Sequence, residues 1–238
     1  MSLVILMHLP LIERYQSVKA RMQQACLQAN RPMDSVSLLA VSKTKPVEDI
    51  IQLSEQGQHC FGENYLQESL LKIQQCPELE WHFIGPIQSN KTKAIAENFQ
   101  WVHSVDRLKI SQRLSQQRPT DQPPLNILLE VNISEEASKA GFTPEELLKI
   151  APEIAALPNI KLRGLMAIPQ KSDGLEAQRK PLAKMRQLLE QLNTSNPEWQ
   201  LDTLSMGMSA DLEAAIMEGA TMVRIGTDIF GARDNLKK

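Results

Sequence analysis

The residues of this 238-residue chain with the clearest chemistry are Lys43, Ser209, Arg224 and the glycines Gly207 and Gly226. Lys43 stands one residue beyond the apolar run Leu38-Leu39-Ala40-Val41. A lysine there is expected to be partly desolvated, which favours the neutral amine that forms a Schiff base with a carbonyl. The plainer alternative is a loop lysine on the surface, as Lys45 is expected to be. In Ser205-Met206-Gly207-Met208-Ser209-Ala210-Asp211, a strand gives way through glycine to a helix whose first turn is expected near Ser209. Backbone N–H groups at a helix start, with the Ser209 hydroxyl, suit an anion, although an N-capping serine without a ligand is the simpler reading. A second strand end, Arg224-Ile225-Gly226-Thr227, tips the balance toward phosphate, because glycine lets backbone approach a ligand closely. Arg224 interrupts an apolar strand, and a buried charge without a partner is costly, so it is expected to be paired or functional. A guanidinium only donates hydrogen bonds. Beside a heteroaromatic ring it would keep a ring nitrogen unprotonated.

Other patterns carry less. Ser42 to Lys45 fits SxxK but lacks the partner motifs and the right context. Glu63 with Glu68, or Asp211 with Glu213, fits solvated helix starts as well as acid–base pairs. His8, His59, His82 and His103 form no HExxH, and Cys26, Cys60 and Cys76 are odd in number and widely spaced. Neither a disulfide framework nor a metal site is expected, and the cysteine usage fits a reducing cytoplasm. A net charge of -2 provides no field that would draw the chain to nucleic acid or an anionic membrane. The apolar opening Met1 to Ile12 lacks a basic region and is too short to span a bilayer, so it is expected to be a lead-in packing on the first helix.

The elements that must position these groups follow one repeated phrase: a short aliphatic run, a few polar or glycine residues, then an amphipathic segment. Strands are expected at 36–41, 59–61, 81–84, 101–103, 125–133, 160–168, 201–205 and 222–225. Helices are expected at 47–55, 143–156, 175–192 and 211–218, with an extra one at about 11–29 in front. Alternating strands and helices require parallel pairing. Eight such units in 238 residues suit a single α/β domain, a closed (β/α)8 TIM barrel, over an open doubly wound sheet; the turn after the first strand has no GxGxxG. The functional rim is then the strand ends: Lys43, Glu63, Asn64, Gly85, Ser104, Asn132, Met166, Ser205 to Ser209 and Arg224 to Thr227.

Five motifs in order resemble one family: Leu38 to Pro46; Phe61-Gly62-Glu63-Asn64-Tyr65-Leu66-Gln67-Glu68; His82-Phe83-Ile84-Gly85-Pro86-Ile87-Gln88-Ser89-Asn90-Lys91; Gly164-Leu165-Met166-Ala167-Ile168-Pro169; and Ser205 to Ser209 with Val223-Arg224-Ile225-Gly226. The chain resembles the pyridoxal phosphate homeostasis protein family, also called YggS/PROSC, from about Leu11 to Arg233. Residues 1–10 have no clear counterpart. The resemblance implies a barrel like the N-terminal domain of alanine racemase, carrying pyridoxal 5'-phosphate (PLP). It implies Lys43 as the Schiff-base lysine and Ser209 with the backbone of Met208, Gly226 and Thr227 around the phosphate. Arg224 would face the pyridine nitrogen, and Asn64 and Met166 would lie near the ring. It further implies a cytoplasmic, monomeric protein of PLP (vitamin B6) and amino-acid homeostasis, with no catalytic residue of its own and PLP-dependent apo-enzymes as acceptors.

Two enzyme readings stand against this one. The first is a PLP-dependent racemase or lyase of weak specificity. A racemase needs a base on each face of its substrate; the chain is expected to leave no room for an additional β domain, and Tyr15 and Tyr65 are its only tyrosines. The second is a phosphosugar barrel enzyme using Lys43 without a cofactor.

Overall fold

The computed structural model describes residues 10–134 and 140–232. The lead-in at 1–9, like Arg233 at the end of the family resemblance, lies outside them. Eight parallel strands close into one barrel in sequence order, β1 (Ser37–Val41), β2 (Cys60–Glu63), β3 (Glu80–Phe83), β4 (Trp101–Val105), β5 (Leu125–Glu130), β6 (Ile160–Met166), β7 (Thr203–Ser205) and β8 (Met222–Ile225). Closure is made by β8 against β1, with Leu38 opposite Val223 and Leu39 opposite Arg224. The expected (β/α)8 barrel is the observed fold.

Helices follow the strands: α2 (Val47–Glu55), α3 (Leu66–Gln75), α4 (Thr92–Asn98), α5 (Leu108–Gln117), α6 (Pro144–Ala155), α7 (Leu175–Ser195), α8 (Leu212–Met217) and α9 (Thr227–Phe230), with α1 (Leu11–Gln28) in front. Their starts obey local chemistry. Thr143 accepts from the Glu146 N–H while Glu146 reaches back to the Thr143 N–H, a capping box completed by Pro144 in the first turn. Most strands differ from expectation by a few residues at one end. The apolar run 125–133 stops being a strand at Glu130, and the run 160–168 stops at Met166, because hydrophobicity continues past the last ladder partner.

Strand residues alternate between two environments. One set, including Trp81, Phe83, Val102, Leu204, Val223 and Ile225, packs outward under the helices in the main apolar core. The other points into the barrel, where Trp101, Leu128 and Met166 form a small separate cluster. Polar residues share that interior: His103 on β4 hydrogen-bonds Ser205 on β7 at 2.9 Å, which is possible only across the lumen because these strands are not neighbours. The barrel is therefore filled by a polar network as well as by apolar layers.

Candidate functional site

The expected site residues come from five adjacent strands, β6, β7, β8, β1 and β2, on the rim where the strands end. Met166 ends β6; Met208 and Ser209 follow β7; Gly226 and Thr227 follow Arg224 on β8; Lys43 follows β1; Asn64 follows β2. Gly226 lies against Val41, where a Cβ on the glycine would sit 3.4 Å from the Val41 carbonyl oxygen. The β8 loop therefore touches the strand that leads to Lys43.

Lys43 is half-buried in a tight turn closed by the Lys45 N–H on the Ser42 carbonyl. Both of its neighbours are tied down. The Ser42 hydroxyl donates to Glu63 Oε1 at 2.7 Å, and the Thr44 N–H donates to Glu68 Oε1 at 2.7 Å. Thr44 takes a positive φ of 63°, a cost that the bond to Glu68 offsets. Behind them Lys72 Nζ donates to the Ser42 carbonyl, to Glu63 Oε1 and to Glu68 Oε1 at 2.6–2.8 Å. Glu63 is wholly buried, and burial pushes its carboxyl above the ordinary value despite Lys72 and Ser42. The solvated helix start considered for Glu63 is thus corrected: it is the buried anion of an ion network, and Lys72, one helical turn beyond Glu68, is the partner that sequence spacing did not single out.

Around β7 one expectation changes. The helix begins at Leu212 with Asp211 at its cap position, so Ser209 lies in the preceding turn and is not the N-cap. Asp211 Oδ1 accepts the Met208 N–H at 2.7 Å. Gly207 holds φ of 94°, and a Cβ there would collide with Ala215. This loop and the β8 loop share an outside brace. Arg21 on α1 donates to Glu213 Oε1 at 2.8 Å, to the Ser209 carbonyl at 3.0 Å and to Asp228 Oδ2 at 2.5 Å. Nothing in the sequence pointed to Arg21, because 188 or more residues separate it from these partners.

Arg224 lies in the barrel lumen, 5% exposed. One terminal nitrogen donates to the Ser205 carbonyl at 2.6 Å and to the Ser205 hydroxyl at 2.8 Å; the other donates to the Ala167 carbonyl at 2.9 Å. Burial lowers its pKa to about 10, with Asp211 and Glu130 pulling the other way, so it is a cation at neutral pH. A chain of buried bonds leads away from it. Ser205 Oγ lies 2.9 Å from His103 Nδ1, His103 Nε2 2.9 Å from His82 Nδ1, and His82 Nε2 2.9 Å from Glu80 Oε1. Burial pushes both imidazoles down, while the His82 hydrogen bond holds the Glu80 carboxyl low. Neutral imidazoles between a cation and a carboxylate allow one assignment. Arg224 donates to Ser205, Ser205 to His103, His103 to His82 and His82 to Glu80. The direction of every donor is set by the two charged ends.

Among the described residues, Asn64 Oδ1 is buried without a hydrogen-bond partner, and so is Glu63 Oε2. The Asn64 acceptor, at a strand end, is therefore open to a hydrogen-bond donor. Rim, orphan acceptor, half-buried lysine and buried guanidinium converge on one mouth of the barrel.

The fold and this rim define a racemase-type barrel. The alanine racemase N-terminal domain model matches residues 15–234. The chain belongs to the pyridoxal phosphate homeostasis protein family: it is 57% identical over 224 residues to the Pseudomonas aeruginosa protein of that name, covering 93% of this chain and 95% of the relative. The Pasteurella multocida member is 54% identical, with 92% and 96% covered. Among solved structures, PipY of Synechococcus elongatus with PLP bound superimposes with a TM-score of 0.80 at 33% identity, covering 93% of this chain and all of PipY. Alanine racemase from Corynebacterium glutamicum shares the fold, with a TM-score of 0.66 at 16% identity over 93% of this chain and 63% of the racemase. Among the described residues no helix is long and apolar enough to cross a membrane.

Proposed function

We propose that this chain binds PLP at the strand-end rim and holds it for delivery to PLP-dependent apo-enzymes, in vitamin B6 and amino-acid homeostasis, without turnover of its own. The observation that carries the reading is the buried Arg224, fixed by Ser205 and Ala167 beneath the loops that bear Lys43, Ser209 and Gly226. The names of the relatives and the PLP complex of PipY support it.

When bound, PLP supplies an aldehyde that captures amines and a pyridine ring that draws off electrons best when its nitrogen is protonated. The residues present fit it. Lys43 offers the amine. The Ser209 hydroxyl and the N–H groups of Gly226 and Thr227 take the phosphate, and Met208 joins them where its N–H exchanges Asp211 for a phosphate oxygen. Arg224 donates to the ring nitrogen and, being a cation, leaves no proton there, which discourages carbanion chemistry. Asn64 and Met166 border the ring, and the orphaned Asn64 oxygen offers an acceptor.

The rival reading, a racemase or lyase, must find a second base. Tyr15 is buried under α1 with its hydroxyl toward Gln58, on the side where β2 starts, so it is remote from the rim. Tyr65, exposed beside Asn64, is the tyrosine at the rim. The test is the visible absorption of the PLP-loaded protein. We expect a band that is lost in Lys43→Ala, transfer of bound PLP to an added apo-enzyme, and no racemisation of amino acids. Absence of any band after PLP addition overturns the reading; racemisation abolished by Tyr65→Phe replaces it with the rival. The reading also has the protein cytoplasmic and monomeric, and sedimentation of the purified chain checks the latter.

A further inference from the structure

The lumen chain that begins at Arg224 ends at the opposite mouth of the barrel, where the strands start. Cys60 and Glu80 are paired residues at the first positions of β2 and β3, and His82 lies two residues along β3 on the same face as Glu80. Cys60 Sγ is 3.4 Å from Glu80 Oε1, which is 2.9 Å from His82 Nε2, and the three atoms lie within 4.8 Å of one another. We propose that Cys60, Glu80 and His82 form a binding site for a borderline-soft divalent cation of the zinc class, separate from the PLP rim.

The donor set selects the ion. Thiolate, imidazole and carboxylate together suit Zn2+, whereas Mg2+ and Ca2+ take oxygen ligands. Spacing agrees. Zinc bonds of ~2.0–2.3 Å at tetrahedral angles place ligand atoms about 3.4–3.6 Å apart, so the two pairs that include Glu80, at 3.4 and 2.9 Å, lie within tenths of an ångström of that spacing, and the third pair lies within 4.8 Å. The site is reachable, since Glu80 and Cys60 are only partly buried while His82 is enclosed. Three protein ligands leave the fourth position to water. Sequence spacing hid the cluster because β2–β3 pairing, not a local motif, joins residues 60 and 80. The expectation of no metal site rested on that spacing.

Binding has a second consequence. A cation on His82 Nε2 displaces the hydrogen that His82 gives to Glu80, so His82 carries its hydrogen on Nδ1. It then donates to His103 Nε2, and His103 donates from Nδ1 to Ser205. Each imidazole keeps one hydrogen and Ser205 keeps its own; the thiol proton is the one released. The His82–His103 pair thus reverses direction, and His103 is the outer partner that orients the His82 ligand.

Calorimetric titration of the metal-free full-length protein with Zn2+ should show one ion bound per chain. Co2+ in its place should give thiolate-to-metal charge-transfer absorption with four-coordinate d–d bands. Cys60→Ser should abolish the charge-transfer band, and Glu80→Gln, a change at a partly exposed strand start, should weaken Zn2+ binding with folding intact by circular dichroism. His103→Gln should weaken it by about 10–100-fold, as loss of an outer partner does. Nitrogen NMR should show His82 and His103 exchanging tautomers on Zn2+ addition. Absence of stoichiometric binding, or equal affinity in the wild type, Cys60→Ser and Glu80→Gln, overturns the proposal.

Discussion

The Lys43 turn is braced from inside, by the buried Lys72 ammonium against Glu63 and Glu68, whereas the Ser209 and Thr227 loops are braced from outside, by the partly exposed Arg21 on α1. The interior brace has no water to fall back on. If Lys72 is removed, Glu63 remains as a buried carboxylate held by the Ser42 hydroxyl, with its second oxygen already unpartnered among the described residues. Removal of Arg21 instead lets solvent reach Glu213, whose side chain is 38% exposed, although Asp228, 7% exposed, loses its cation. The lysine is thus held in a fixed frame, while the Ser209 and Thr227 loops sit in one that can adjust. On the proposed role as a PLP carrier, the adjustable part is where the phosphate is expected to leave.

The largest effect that tests this contrast belongs to Lys72→Met. Breaking a buried pair from one side costs about 3–5 kcal/mol, so denaturant unfolding should show a loss of that size, partly restored in the Lys72→Met, Glu63→Gln double variant. A loss near that of an exposed pair would erase the distinction between the braces. Next comes Gly207→Ala. Its positive φ and the collision with Ala215 predict a loss of about 2 kcal/mol or more, together with weakened PLP binding, because the β7 loop must change shape. Unaltered PLP affinity would show that the loop's shape does not matter to the site.

The sequence-level reading reached the barrel because the βα phrase is local: each strand and helix announces itself through its own periodicity and caps. It singled out Lys43, Ser209, Arg224 and Gly226 as candidates because strand-end position is also local. It missed what topology alone creates. Lys72 meets Glu63 only after β2 is followed by α3, Arg21 meets Asp228 only when α1 lies against the barrel's seam, and His103 meets Ser205 only across the lumen. The helix start is expected near Ser209, with an N-cap role for that serine as the plain alternative; the helix begins later, at Leu212, and the Asp211 side chain bonds the Met208 N–H ahead of it.

Arg21→Met is expected to cost about 1–2 kcal/mol, since its hydrogen bonds are charge-assisted but partly solvated. It should weaken PLP binding several-fold without removing the Lys43-dependent visible band. The smallest effect is the pH dependence of that difference. Burial pushes Glu213 up, but the hydrogen bonds and charge of Arg21 outweigh it and hold the carboxyl below its ordinary value. A carboxyl with a depressed folded-state pKa contributes stability that is present above the unfolded value of about 4.3 and is lost as pH falls through the folded one. The gap in Tm between wild type and Arg21→Met should therefore be constant from neutral pH down to about 5 and close at more acidic values. A gap that persists below the folded pKa would mean that Arg21 acts mainly through the Ser209 carbonyl, which does not titrate, and the outer brace would then be a backbone clamp and not an ion pair.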